Sequence, residues 1–143
     1  MVGRWAASQK NVYVRAISLS PAEVDAYIQL AIQNPILNTK YAVDFGDIHL
    51  LTTQLLPRID YITLFHLGEV SSQLADPEYP GNSIADTIAL LARRMAKNGQ
   101  MLFCADSPAW KDIKGAVEVN MVYRYEYERS VFKSLIIYKK VRA

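Results

Sequence analysis

Residues 59–105 read IDYITLFHLGEVSSQLADPEYPGNSIADTIALLARRMAKNGQMLFCA, and their patterning decides the fold class. Ile59 to Leu67 is rich in β-branched and aromatic residues, the composition of a strand. Ala75 to Asn82 (ADPEYPGN) carries two prolines and a glycine, which block helix and central strand alike. Asn82 or Ser83 then caps a helix whose Ile84, Ile88, Leu91, Ala92 and Met95 form one apolar stripe, with Asn98-Gly99 as its stop. Gln100 to Ala105 (QMLFCA) is a second, apolar strand. Strand, long helix, strand in this order is the unit of a parallel sheet with a crossover connection.

The alternation extends towards the N-terminus. Asn11 to Leu19 (NVYVRAISL) predicts a strand, and Ser20-Pro21-Ala22-Glu23 predicts a helix start with a cap, a proline in the first turn and a capping box. Val24, Tyr27, Ile28 and Ala31 share one face of that helix, and Asn34-Pro35 ends it. Thr39 to Phe45 (TKYAVDF) predicts another strand, followed by a short helix over Ile48 to Leu56. Towards the C-terminus, Ala116 to Tyr127 alternates at period two, with Val117, Val119, Met121, Tyr123, Tyr125 and Tyr127 on one side, and Ser130 to Val141 returns as its hairpin partner. The expectation is an α/β fold: a mixed, mostly parallel sheet flanked by helices with a C-terminal antiparallel β-hairpin, in one domain spanning 1–143.

A chain of 143 residues can bury a sizeable core without disulfides, and Cys104 is its only cysteine. Met1 to Lys10 has no apolar stretch of the kind a secretory signal needs, and no segment is apolar enough to cross a bilayer. The expected location is cytoplasmic, without membrane attachment. The small net charge of +2 conceals an asymmetry. Ile17 to Leu90 holds nine acids against two bases, whereas Leu91 to the end holds eleven bases against five acids. Such polarity is either internal pairing of the two halves or the mark of a partner or an anionic ligand.

In open α/β sheets ligands bind beyond the carboxyl ends of the strands. Ser18 and Ser20, Asp44 and Asp47, His66 and Glu69, and Asp106 and Ser107 fall at those ends. Asp44, His66 and Glu69 are therefore the catalytic candidates, with Asp44 and Asp47 the candidate ligands of a metal ion. The cationic side of the long helix offers Arg93, Arg94 and Lys97, and with Lys139 and Lys140 these are the candidates for binding an anionic ligand. Tyr123, Tyr125, Tyr127 and Tyr138 are the candidate interface, since tyrosine brings large area and a polar tip to a contact. Glycine-rich phosphate loops, CxxC pairs and HExxH zinc motifs do not occur.

Without a catalytic signature, the expected function is that of a non-enzymatic interaction protein, an antagonist, immunity or regulatory module of the kind mobile elements carry. It would dock a protein partner or a small anionic ligand, associate with itself as a homodimer, and need no cofactor. One alternative is a metal-assisted phosphoesterase or nucleotide hydrolase using Asp44, Asp47, His66 and Glu69. A second is a nucleic-acid-binding protein using the basic residues.

Overall fold

The computed structural model describes residues 2–69, 78–122 and 124–141. Ala75 to Pro77 of the expected loop and Tyr123 of the tyrosine stripe lie outside them. The chain forms two compact units, Met1–Ile48 and His49–Ala143.

In the first unit, helix α1 (Val2–Ser8) precedes strand β1 (Val14–Ser18), helix α2 (Pro21–Gln33), a 3-10 turn (Pro35–Thr39) and strand β2 (Tyr41–Phe45). β1 and β2 pair in parallel, from Val14 opposite Tyr41 to Ser18 opposite Phe45. The α2 start follows from its sequence: Ser20 is extended and accepts from the Glu23 amide, and Pro21 takes the first turn, where an N–H has no helical partner. Asn34, with a non-helical backbone, ends it. Ala6 and Leu37 are buried in this unit, and Tyr27 and Tyr41 are half-buried. Tyr41 packs edge-on against Tyr27 with ring centroids 5.5 Å apart, and Gly3 lies so close that a Cβ there would meet the Tyr41 ring at 2.9 Å.

Two 3-10 turns, Ile48–Leu50 and Thr53–Leu55, replace the expected short helix. Thr52 between them is extended (φ −119°, ψ 158°), and that break stops a single helix from forming. The second unit then runs β3 (Ile59–Leu64), α3 (Ile84–Arg94), β4 (Met95–Cys104), α4 (Trp110–Met121), β5 (Tyr125–Glu128) and β6 (Leu135–Lys140). Its four strands lie in the order β3-β4-β6-β5. β3 and β4 are parallel, whereas β6 runs antiparallel to both β4 and β5. The mixed α/β fold with parallel strands, flanking helices and an antiparallel C-terminal hairpin is thus present.

Ser83 caps α3: its hydroxyl accepts from the Asp86 amide at 3.1 Å and donates to the Asp86 carboxylate at 2.6 Å. Ile88, Leu91 and Ala92 are buried on the apolar stripe. With Ile62 and Leu64 of β3, Met101 and Phe103 of β4, and Ile113, Val117 and Met121 of α4 they make up much of the buried apolar set of this unit. Burying a side chain of this size contributes about 1.5–3 kcal/mol, so this stripe is where the second unit draws its stability.

Two expectations are corrected here. The long helix ends at Arg94, four residues before Asn98-Gly99. Asn98 instead takes a left-handed φ of 64° inside β4, where the register slips: Met95 faces Ile59, but Gln100 faces Tyr61. A Cβ on Gly99 would lie 2.8 Å from the Asp60 carbonyl, so the Asn-Gly pair serves a bulge pressed against β3. The second correction is that residues 116–121 are helix, not strand. Ile113, Val117 and Met121 are buried at a spacing of four, while Val119 is 76% exposed. Val117, Val119 and Met121 satisfy a period of two on paper, but the burial follows the helical period.

Candidate functional site

The best-organised polar cluster lies at the carboxyl ends of β3 and β4. β3 stops at Leu64, and the chain turns through residues 65–69 with the Glu69 amide bonded to the His66 carbonyl at 3.2 Å. Gly68 permits this turn, with φ at 84° and with Ile113 only 3.0 Å from where a Cβ would stand. The result brings Glu69 against His66. His66 Nδ1 lies 3.0 Å from Glu69 Oε2. Ser107, just past the end of β4, donates from Oγ to Glu69 Oε1 at 2.7 Å. Ser107 itself is positioned by its amide bond to the Cys104 carbonyl at 3.2 Å.

A carboxylate only accepts, so the His66 Nδ1 carries the proton of that contact and Nε2 is left as the acceptor of the neutral ring. The His66 side chain is 80% exposed, which leaves it open to a substrate. The hydrogen bond from Ser107, and then that from His66, hold the Glu69 carboxyl below its ordinary value. The arrangement is an imidazole oriented by a carboxylate that is itself fixed by a hydroxyl. It leaves Nε2 facing outward as a proton acceptor. His66 and Glu69 were legible as strand-end residues, and so was Ser107, whose tie to Glu69 was not.

The carboxyl ends of β1 and β2 carry a different set. Ser18 Oγ donates to Glu23 Oε2 at 2.5 Å, and its oxygen accepts from the Ser20 amide at 3.0 Å. Asp44 is bound by the Arg15 guanidinium, with Nε and Nη2 at 2.5 and 3.2 Å from its two oxygens. This exposed pair answers the Asp44 charge within the strand pair itself and is worth at most about 1 kcal/mol. Phe45 follows with its ring 62% exposed, then Gly46 and Asp47. Among the described residues, no group of three or more His, Cys, Asp or Glu side chains could hold a metal ion. His49 is buried, its Nδ1 2.9 Å from Thr87 Oγ1 in α3.

The basic candidates divide by strand geometry. Arg93, Arg94, Lys97 and Lys140 line one pocket together with Arg58 and Met95. Lys139 does not join them. Consecutive residues of a strand point to opposite faces, so Lys139 and Lys140 cannot share one. Arg58, far in sequence from the other bases, enters because it immediately precedes β3.

The tyrosines also separate. Tyr125 is buried, and its hydroxyl donates to the Ala92 carbonyl at 2.9 Å, with burial pushing its phenol up to about 12. Tyr138 packs edge-on against Phe103 and against Tyr127, with centroids 6.3 and 6.1 Å apart, while Tyr127 is 59% exposed. No helix of the described residues is long and apolar enough to cross a membrane.

No family model matches the chain, and no curated protein matches it in sequence. Solved structures do share its fold. It is similar to the N-methyltransferase NodS from Bradyrhizobium japonicum WM9, at 11% identity with a TM-score of 0.58 over 91% of this chain and 74% of that one. It is similar to a TehB-like SAM-dependent methyltransferase from Corynebacterium glutamicum, at 14% identity and a TM-score of 0.58 over 97% of this chain and 73% of the other. It is similar as well to a precorrin-6y C5,15-methyltransferase from Geobacter metallireducens, at 13% identity and 0.57 over 91% and 68%.

These neighbours overturn the expectation of a non-enzymatic antagonist, immunity or regulatory module from a mobile element. The fold resembles the Rossmann-like fold of these methyltransferases. The expectation of no cofactor is corrected by the same finding, since one neighbour is named for its dependence on SAM. The metal-assisted phosphoesterase reading also falls: Asp44 is engaged by Arg15, and the neighbours are methyltransferases.

Proposed function

We propose that this chain belongs to an S-adenosylmethionine-dependent methyltransferase. The observation that supports the reading most directly is the fold, shared with several methyltransferases over nine-tenths or more of the chain. The chemistry of the strand-end residues agrees with it. At neutral pH the cofactor carries a sulfonium and an ammonium against one carboxylate, so it is a net cation with a ribose diol and a purine. The carboxyl ends of β1 and β2 offer acids, Glu23 and Asp47, rather than the amide-lined loop a phosphate requires. Glu23 suits the ribose hydroxyls as an acceptor, as it already accepts from Ser18. The exposed Phe45 ring presents a flat apolar face to a purine.

When bound, S-adenosylmethionine supplies an electrophilic methyl carbon. Glu23, Phe45 and Asp47 would hold it within the first unit. Within the second unit, His66, oriented by Glu69, presents Nε2 as a proton acceptor, and Ser107 holds the Glu69 carboxylate in place.

Isothermal titration calorimetry with S-adenosylmethionine and S-adenosylhomocysteine tests the assignment. Saturable binding of both is expected, weakened about tenfold by Glu23→Ala through loss of a charge-assisted hydrogen bond. A folded protein that gives no saturable heat with either compound at millimolar concentration sinks the reading.

A further inference from the structure

We propose that the pocket at the amino ends of β3 and β4 binds the phosphate groups of a small phosphorylated ligand, of the diphosphate class. Arg58, Arg93, Arg94, Met95, Lys97 and Lys140 line a space of about 300 Å³. Five of these six are cationic, and no carboxylate lines the pocket. Like charges gathered this closely repel one another, and an anion of multiple charge between them turns that repulsion into attraction.

Two of the cations show donors left over. Arg94 donates from Nη2 to the Leu56 carbonyl, but its Nε is buried with no hydrogen-bond partner among the described residues. Buried donors are nearly always satisfied, so one that is not calls for an acceptor. Lys140 is only 5% exposed and donates to the Ala92 and Met95 carbonyls at 3.0 and 2.9 Å. An ammonium has three donors, and these contacts use two. Burial first, then the charges of Arg124 and Arg58, push the Lys140 ammonium below its ordinary value.

The size and lining select the ligand. About 300 Å³ lies at the small end of ligand pockets. Guanidinium forks match phosphate oxygens two at a time. Single-stranded nucleic acid is held by basic grooves with aromatic platforms, and no aromatic side chain lines this pocket. The pocket is also separate from the His66 cluster. β3 runs six residues, about 20 Å, from one to the other. The inference stands independently of the methyl-transfer reading.

Calorimetry of the full chain at low salt with inorganic pyrophosphate tests it, repeated on Arg58→Ala and Lys97→Ala. Both residues are exposed, so the variants keep the fold, as circular dichroism will verify. Saturable one-to-one binding is expected, weakening about tenfold in each variant and falling as sodium chloride is added. Absence of saturable heat with millimolar pyrophosphate, or equal affinity in the parent and both variants, overturns the proposal. A short single-stranded RNA that binds more tightly than pyrophosphate and displaces it also overturns the small-ligand assignment, in favour of a nucleic-acid surface.

Discussion

Glu69 concentrates the chemistry visible at the residue scale. Its two oxygens each accept one side-chain donor, Ser107 Oγ on one and His66 Nδ1 on the other. Both bonds favour the ionised carboxyl, so its folded pKa lies below the ordinary 4.5. The carboxylate's contribution is fully present above the ordinary carboxyl range and is lost as pH falls through the lowered value of the folded state. Ser107 is the larger cause. Ser107→Ala should therefore move the Glu69 titration upward towards 4.5, followed by carboxyl-carbon NMR. A titration unchanged by Ser107→Ala would show that the Ser107 bond is not made in solution. The strand-end rule pointed to His66 and Glu69 from sequence. It could not pair them with Ser107, because that contact spans 38 positions and depends on β3 and β4 lying side by side.

Elements differ in how much of their identity is local. α2 and α3 are announced by Ser20-Pro21 and by Ser83 with Asp86, since a cap is a hydrogen bond within four residues of the helix start. α4 is not announced. Ala109 precedes it without a side-chain cap, and Val117, Val119 and Val122 favour strand by their β-branching. Packing of Ile113, Val117 and Met121 against the rest of the second unit decides for helix. The two periods make different claims about stability. On a strand, Val117 and Val119 would share a face and cost alike. On the helix, Val117→Ala should cost about 1–2 kcal/mol while Val119→Ala stays within about 0.5 kcal/mol, measured by urea denaturation. Equal losses at the two positions would contradict the helix.

At the scale of the whole molecule the two proposed sites divide the charge asymmetry between them. Under the proposed function, the acid-rich segment supplies Glu23 and Asp47 to a cationic cofactor. The base-rich segment supplies Arg93, Arg94, Lys97 and Lys140 to one pocket, suited to an anion. Any ligand that binds only the folded chain stabilises it by mass action. S-adenosylhomocysteine at a hundred times its Kd should raise the unfolding free energy by about 2.7 kcal/mol. The melting temperature would rise with ligand concentration, read by differential scanning calorimetry. A melting curve indifferent to the ligand would speak against the cofactor site while leaving the phosphate pocket untouched.

By itself the sequence determined the strand-helix-strand alternation, the caps of α2 and α3, the C-terminal reversal and the polar character of the strand ends. These are written in periods, caps and turns that act over a few residues. Only the tertiary structure decided that residues 110–121 are helical, that Asn98-Gly99 form a bulge, that Arg58 joins the basic pocket while Lys139 leaves it, and that Ser107 reaches Glu69. Each of those outcomes depends on which segments lie side by side, and burial and hydrogen bonding between distant residues outweigh local preference wherever the two disagree.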